Sequence, residues 1–364
     1  MIETDFLKTS LYKQHEKLDA KIVPFAGYLM PVNYSNGISS EYESIRNSVG
    51  MFDVSHMGFI SIEGEKSLEF LNYVTINNIN KIISGGAQYN VICDEKGGCI
   101  DDIIIYKKDN LSYFMVVNAS NIDKDFKWLC KQNNYNVEIS NKSNKFSILA
   151  IQGPKSRDTL IESLNIDIYN LGFYRFSMHN LFNGKAIVSR TGYTGELGYE
   201  ILSDHDTINK TWEALLASNV APCGLGVRDI LRIEMKYCLY GHELNSDINP
   251  IHAGLNWVLD KNKSNFIGKE IIENEIIAPS KRLICFKMID RAIPRVDYLV
   301  FKDDIKIGSV SSGGFSIGLK KGIGLAFVNL KLNLKSIISI QIRGKLFKAE
   351  VIKPPFINNY SLHS

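Results

Sequence analysis

The chain has 364 residues, 45% hydrophobic and 22% charged, a composition too apolar for long disorder and sized for two or three domains of roughly 100–200 residues. With 42 Lys plus Arg against 39 Asp plus Glu, the net charge is +3, too balanced for a general nucleic-acid binder. No stretch reaches the ~18 uninterrupted apolar residues of a membrane span, and Met1-Ile2-Glu3-Thr4-Asp5 carries acids where a leader needs bases, so no membrane partner and a cytoplasmic location are expected.

Taken in chain order, a helical pattern covers 38–49, ahead of Gly50. The segment Gly58-Phe59-Ile60-Ser61-Ile62-Glu63-Gly64 alternates at period two and ends in a turn, which predicts a strand. A helix follows over 67–74. Residues 87–93 are strand-like, Asp94-Glu95-Lys96-Gly97-Gly98 forms a hairpin turn, and 99–106 returns as the partner. A further strand is expected over 111–117, with helices over 122–132, 154–164 and 208–218. Strand groups with interspersed helices and no regular βαβ alternation indicate an α+β fold with antiparallel sheets. The pattern shifts near Ala278-Pro279-Ser280. Beyond it, short strands over 283–288, 299–302, 306–312, 324–327, 337–342 and 345–351 suggest a separate small barrel or sandwich. The expected division is 1–278 and 279–364.

The six cysteines, Cys93, Cys99, Cys130, Cys223, Cys238 and Cys285, show no C-x-x-C spacing, and the seven histidines are dispersed. Reduced thiols and no protein-held metal are expected. In the hairpin that ends Gly97-Gly98-Cys99-Ile100-Asp101-Asp102, neighbouring side chains point to opposite faces. Either one carboxylate enters a partly buried space or both are solvated, turn-flanking acids. The run Gly192-Tyr193-Thr194-Gly195-Glu196-Leu197-Gly198-Tyr199-Glu200 places glycines at every third position. That backbone turns tightly and admits a close neighbour, and Glu200 begins a strand over 199–202. A carboxylate there suits the amidine-like edge of a pterin or guanine, while the alternative is a glycine-rich hairpin with surface acids. Arg228 and Arg232 lie four apart where a helix starts near 228, so they share a face suited to a carboxylate ligand or to salt bridges with Asp229 and Glu234. His56, beside Met57 and near Phe52, is expected to be a packed core residue. Lys331, Lys335, Arg343, Lys345, Lys348 and Lys353 against the single acid Glu350 form either the solvated face of strands or a surface that steers an acidic partner.

Taken together, Met51-Phe52-Asp53-Val54-Ser55-His56-Met57, Gly97-Gly98-Cys99-Ile100-Asp101-Asp102, Ile151-Gln152-Gly153-Pro154, Gly192-Tyr193-Thr194-Gly195-Glu196, Gly226-Val227-Arg228-Asp229, Leu239-Tyr240-Gly241 and Ser311-Ser312-Gly313-Gly314-Phe315-Ser316 resemble the T protein of the glycine cleavage system, the tetrahydrofolate-dependent aminomethyltransferase family. The resemblance runs from Thr9 to Phe356. It implies a three-domain cloverleaf, with two interleaved α+β domains followed by a C-terminal β-barrel. It also implies tetrahydrofolate as co-substrate, no metal, and the lipoylated H protein as partner. The family's reaction releases ammonia and forms 5,10-methylenetetrahydrofolate. By motif match Asp101 would be the catalytic acid, Glu200 would hold the pterin edge, and Arg228 and Arg295 would anchor folate. Tyr193 and Tyr237 would pack on the ligand, with Asn118 and Met57 as walls and Tyr360 as a C-terminal contact one residue out of family spacing. Ser316-Ile317-Gly318 replaces the Ser-Pro usual in the family. Two alternatives are a folate-dependent demethylase of the same superfamily and a non-catalytic folate-binding protein. The hairpin speaks against the first; the second carries a Lys-Gly-Cys-Tyr-x-Gly-Gln-Glu motif that 235–243 only loosely echoes.

Overall fold

The computed structural model describes residues 6–364. Its centre is the hairpin. Strands Gly86–Cys93 and Cys99–Lys107 pair antiparallel, and Asp94 closes the turn by accepting the N–H groups of Lys96 and Gly98, each at 2.9 Å. Ser112–Val117, Gly58–Glu63 and Glu138–Asn141 extend it to a five-stranded antiparallel sheet. One face carries Ile60, Ile62, Ile92, Ile103, Ile105 and Met115 and packs under Phe70 and Leu71 of helix Ser67–Val74 and Leu129 of helix Ile122–Gln132. The opposite face carries Phe59, Tyr106 and Phe114, which join Phe52, Val54, Ile148, Ala150 and Leu202 of a second sheet.

That second sheet has six strands, ordered Phe176–Leu181, Gly184–Ser189, Gly198–Ser203, Ser147–Gln152, Gly50–Asp53 and Ala221–Pro222. Its far face holds Leu149, Ile151, Val188, Tyr199 and Ile201 against Leu160 of Ser156–Leu164 and Trp212 and Leu215 of His205–Ala217. Asp204 caps the latter helix by accepting from the Thr207 N–H at 2.9 Å. Because Gly50–Asp53 pairs with Ser147–Gln152, the whole five-stranded sheet lies between two neighbouring strands of the six-stranded one. The chain therefore interleaves the two units, which a linear reading of strands does not show.

The antiparallel expectation needs one correction. Leu7–Lys8 pairs parallel to Tyr28–Asn33 in a small three-stranded sheet, and Ala221–Pro222 pairs parallel to Gly50–Asp53. Both segments have two residues, too short to register as strands by alternation.

Strands Arg282–Met288, Leu299–Lys302, Ile305–Ser316, Lys321–Val328, Ile337–Ile342 and Lys345–Ile352 form a closed barrel filled by Phe286, Met288, Val300, Val310, Ile338 and Val351. Closure leaves no free strand edges. A bulge between Val310 and Ser312 bends the long third strand, where Ser316 donates to Glu234 at 2.6 Å and ties the barrel to helix Leu225–Met235. The basic residues between Lys331 and Lys353 are all exposed, and they sit on the last two strands and their flanking turns.

The hairpin is also held from outside. Cys99 N–H lies within hydrogen-bonding distance of the carbonyls of Asn245 and Ile248, and a Cβ on Gly98 would come 1.9 Å from the Ser246 carbonyl oxygen. Backbone cannot swing aside as a flexible side chain can. Gly98→Ala is therefore expected to destabilise the chain by ~1–3 kcal/mol, the usual overpacking cost, read as a lower denaturation midpoint at unchanged slope.

Candidate functional site

Where the inner faces of the two sheets diverge, they enclose a cavity of about 1180 Å³, at or beyond the upper end of the ~300–1,000 Å³ usual for small-molecule sites. Asp102, Ile104 and Val116 come from the five-stranded sheet, and Ile148, Glu200 and Leu202 from the six-stranded one. Helix Leu225–Met235 and the irregular segment after it supply Arg228, Tyr237, Tyr240 and Trp257, and the C-terminal segment adds Pro354, Pro355 and Leu362.

Strand alternation separates the two hairpin acids. Asp102 shares its parity with Ile104 and faces the cavity; Asp101 shares its parity with Ile103 and Ile105 and points under helix Ile122–Gln132. Asp101 is 0% exposed and does not line the cavity. The motif-based expectation for Asp101 is thus corrected by one residue: the carboxylate available to a ligand is that of Asp102. Asp102 accepts from the Tyr89 hydroxyl at 2.9 Å and from the Asn118 side-chain amide at 2.9 Å. Burial, together with the nearby charge of Asp101, pushes it up to about 7, while the Tyr89 and Asn118 bonds work in the opposite direction. An acid balanced near neutrality can both take and return a proton.

Glu200 lines the opposite wall and accepts from Thr191 Oγ1 at 2.5 Å through one oxygen. Arg228 lies on the helix one turn in from Gly224, where the helix begins three residues earlier than its sequence suggests. Gly224 is required there, because a Cβ would meet the Val32 backbone at 2.4 Å. The Arg228 guanidinium sits 4.9 Å from the Tyr193 ring centre and 5.7 Å from that of Phe52, yet its buried Nη1 has no hydrogen-bond partner and it makes no ion pair among the described residues. Burial lowers its proton affinity, with Glu200 partly offsetting this. Arg232, its helical neighbour, is instead committed to Asp229 and Glu243, both at 2.8 Å, and to Ser312 at 2.7 Å. The two arginines therefore do not act as a pair. Tyr193 and Tyr237 stack with centres 5.6 Å apart, and the Tyr193 hydroxyl donates to the Cys238 carbonyl. Met57 and Asn118 also line the cavity.

Two expected folate contacts lie elsewhere. Arg295 is exposed in the turn before the barrel strand Leu299–Lys302 and does not line the cavity. Tyr360 is 39% exposed; its neighbour Ser361, bonded to Glu196, directs the tail past the cavity, and Leu362 reaches it instead. Tyr89 and Trp257 in the wall were not singled out by sequence, Tyr240 stood in a family motif without a role, and His56 was expected only to pack. Tyr89 was within reach of sequence reasoning, since the hairpin pairs Val91 with Asp102 and so makes Tyr89 its diagonal neighbour on the same face. Trp257, 70% exposed and stacked on Tyr89 at 5.6 Å, lies in an irregular segment with no periodic signal. His56 is buried as expected but also borders the cavity, where burial pulls it down to about 4 and leaves it neutral, with Nδ1 unpartnered.

Among the described residues no cluster of three His, Cys, Asp or Glu could hold a metal ion, and no helix is long and apolar enough to cross a membrane. The GCVT N-terminal domain model matches residues 11–263, and the glycine cleavage T-protein C-terminal barrel domain model matches 281–358. The chain is 43% identical over 351 residues to an aminomethyltransferase of Thermosipho melanesiensis, with 96% of each chain covered. It is 41% identical over 357 residues to one of Listeria monocytogenes, covering 97% of this chain and 98% of the relative. The crystal structure of glycine cleavage system aminomethyltransferase T from Bartonella henselae superposes with a TM-score of 0.92 at 30% identity, covering 98% of this chain and 99% of that one. Interleaved sheets, a closed barrel and an acid in the cavity between them define a T-protein-type transferase, an enzyme. The chain belongs to the aminomethyltransferase family of the glycine cleavage system.

Proposed function

We propose that the protein transfers the methylene carbon of S-aminomethyldihydrolipoyl H protein to tetrahydrofolate, releasing ammonia and dihydrolipoyl H protein and forming 5,10-methylenetetrahydrofolate. The observation that carries this reading is Asp102, an acid balanced near neutrality and held by Tyr89 and Asn118 at the wall of a cavity whose other side bears Glu200 and Arg228. The residues present suit a pterin with an acidic tail. Glu200 has a free oxygen for an amidine-like edge, the stacked Tyr193 and Tyr237 offer flat apolar contact, and Arg228 has an unpartnered N–H for a carboxylate. In this reading residues 1–278 carry most of the ligand site, and the unit 279–364 closes its rim through Pro354, Pro355 and Leu362.

In the transfer, the two folate N–H protons are replaced by bonds to carbon; one goes to the lipoyl sulfur and one to the departing ammonia. A carboxylate fixed beside the reacting nitrogen aims its lone pair, stabilises the positive charge that develops on it, and takes up the proton for return to a leaving group. Asp102 is the group in the cavity wall with that balance.

The direct test is ammonia release from aminomethylated H protein with and without tetrahydrofolate. Fast, folate-dependent release with an equal amount of methylenetetrahydrofolate supports the assignment. Folate binding without turnover overturns it in favour of a demethylase or a binding protein. Glu200→Gln keeps the shape but exchanges a charged acceptor for a neutral one. Because charge-assisted hydrogen bonds are about twice as strong as neutral ones, it is expected to weaken folate binding by about tenfold by calorimetry.

A further inference from the structure

Behind Asp102 lies a second layer of acids that the transfer itself does not touch. Asp101 and Asp125 are both 0% exposed, one on the strand Cys99–Lys107 and one in the first turn of the helix Ile122–Gln132 above it. Their hydrogen-bond inventories differ sharply. Asp101 accepts from the Asn118 backbone N–H at 3.0 Å, from the Asn118 side-chain amide at 2.9 Å and from the Asn121 amide at 2.6 Å. Neither oxygen of Asp125 has a hydrogen-bond partner, and its nearest charged neighbour is Asp101, whose charge, after burial, is the main influence pushing the Asp125 carboxyl upward.

Two ionised carboxylates are acceptors only and cannot hydrogen-bond each other, so one of the two must carry a proton. The donors decide which. Asp101 has three and is suited to the negative charge; Asp125 has none, and an ionised form there would be a buried charge with no hydrogen bond, offset only in part by the nearby Lys124. A protonated Asp125 can donate to Asp101, Asp101 fixes Asn118, and the same Asn118 amide nitrogen reaches Asp102 Oδ1 at 2.9 Å.

We propose that Asp101 and Asp125 are positioning residues: a buried pair sharing one proton that holds Asn118 against Asp102 and keeps one fixed negative charge behind it. This rests on the assignment of Asp102 as the acid of the transfer.

The surroundings leave that charge little competition. The titratable neighbours that act on Asp102 are Tyr89 on the neighbouring strand, Cys99 and Asp101 on its own, and Asp125 on the helix behind Asp101. Elsewhere in the cavity wall stand Tyr174, Tyr193, Tyr240 and Cys238, all pushed upward by burial and therefore neutral at pH 7. Lys124 is the cation of this group. It is bound to the Ile100 carbonyl at 2.5 Å, Asn121 Oδ1 at 2.9 Å and the Tyr240 hydroxyl at 2.7 Å, so it braces the Asn121 side that holds Asp101. Asp101 thus raises the proton affinity of Asp102, and removing its charge lowers it.

The test is a carbon-13 NMR titration of the full chain, labelled at the aspartate carboxyl carbons and free of folate, between pH 5 and 9. Resonances are assigned by their loss in Asp102→Asn and Asp125→Asn. Asp125 is expected to stay at its protonated position throughout, and Asp102 to titrate near neutrality. Asp101→Asn should lower the Asp102 midpoint by about one pH unit or more, as loss of a close like charge does. Asp125→Asn should move it by less than about 0.3 unit, because an amide still donates to Asp101 and the local charge is unchanged. Titration of Asp125 within this range overturns the proposal, as does an Asp102 midpoint that Asp101→Asn leaves unmoved or that Asp125→Asn lowers equally. Should Asp101→Asn fail to fold, the wild-type titration and Asp125→Asn decide alone. The outcome is separate from that of the function: full turnover in Asp102→Asn would remove Asp102 from the transfer while leaving these midpoints unchanged.

Discussion

Asp102→Asn is expected to lower turnover by ~10²–10⁴-fold at neutral pH, the range for losing a positioned acid–base group, with folate affinity changed by no more than about threefold. The amide keeps the shape of the side chain and can still accept from Tyr89 or Asn118, the two groups that hold it. It cannot take a proton. The loss therefore falls on the step in which charge develops on the reacting nitrogen and not on binding, so kcat drops while KM stays put. Single-turnover ammonia release measures it. Turnover near the wild-type value would show that Asp102 only shapes the wall. Asp101→Asn provides the contrast: it leaves the cavity carboxylate in place, so its effect should appear chiefly as a shifted pH profile.

Arg228→Met is expected to weaken folate binding by ~10–100-fold, the loss of a charged hydrogen bond of ~1.5–3 kcal/mol, without lowering the stability of the free protein. Most buried guanidinium groups are tied down, as Arg232 is by Asp229, Glu243 and Ser312. Arg228 is half-buried, with an orphaned Nη1 and no ion pair among the described residues, so in the free protein it carries a desolvation cost that the nearby Glu200 offsets only in part. A ligand carboxylate supplies the partner. Met keeps the packing against Phe52 and Tyr193, and removing a charge compensated only in part leaves the melting temperature unchanged or raised. Calorimetry and thermal denaturation on one preparation read both quantities. Unchanged affinity with lost stability would identify Arg228 as a structural residue.

The local grammar of the chain was legible. Gly97-Gly98 after Asp94 announces the hairpin, period-two alternation marks Gly58–Glu63, and the short strands after Pro279 announce a unit distinct from what precedes them. Gly192, Glu200 and Arg228, singled out from glycine-bounded turns and a helix start, all line the cavity. Arg295 was not placed correctly, because a motif match fixes its position in the chain but not which side of the barrel its turn faces.

The same limit explains the one-residue correction at the acid. Alternation dictates that Asp101 and Asp102 point to opposite faces, and the sequence alone establishes that much. It does not say which face meets the ligand, because both parities continue as apolar residues, Ile103 and Ile105 on one side and Ile104 and Tyr106 on the other. A sheet covered on both faces gives no polar side to orient it. The tertiary structure decides: helix Ile122–Gln132 covers the Asp101 face, and the six-stranded sheet diverges from the Asp102 face to open the cavity. Those partners are brought together only by the pairing of Gly50–Asp53 with Ser147–Gln152, strands separated by the entire five-stranded sheet, and contacts at that separation leave no mark on local periodicity.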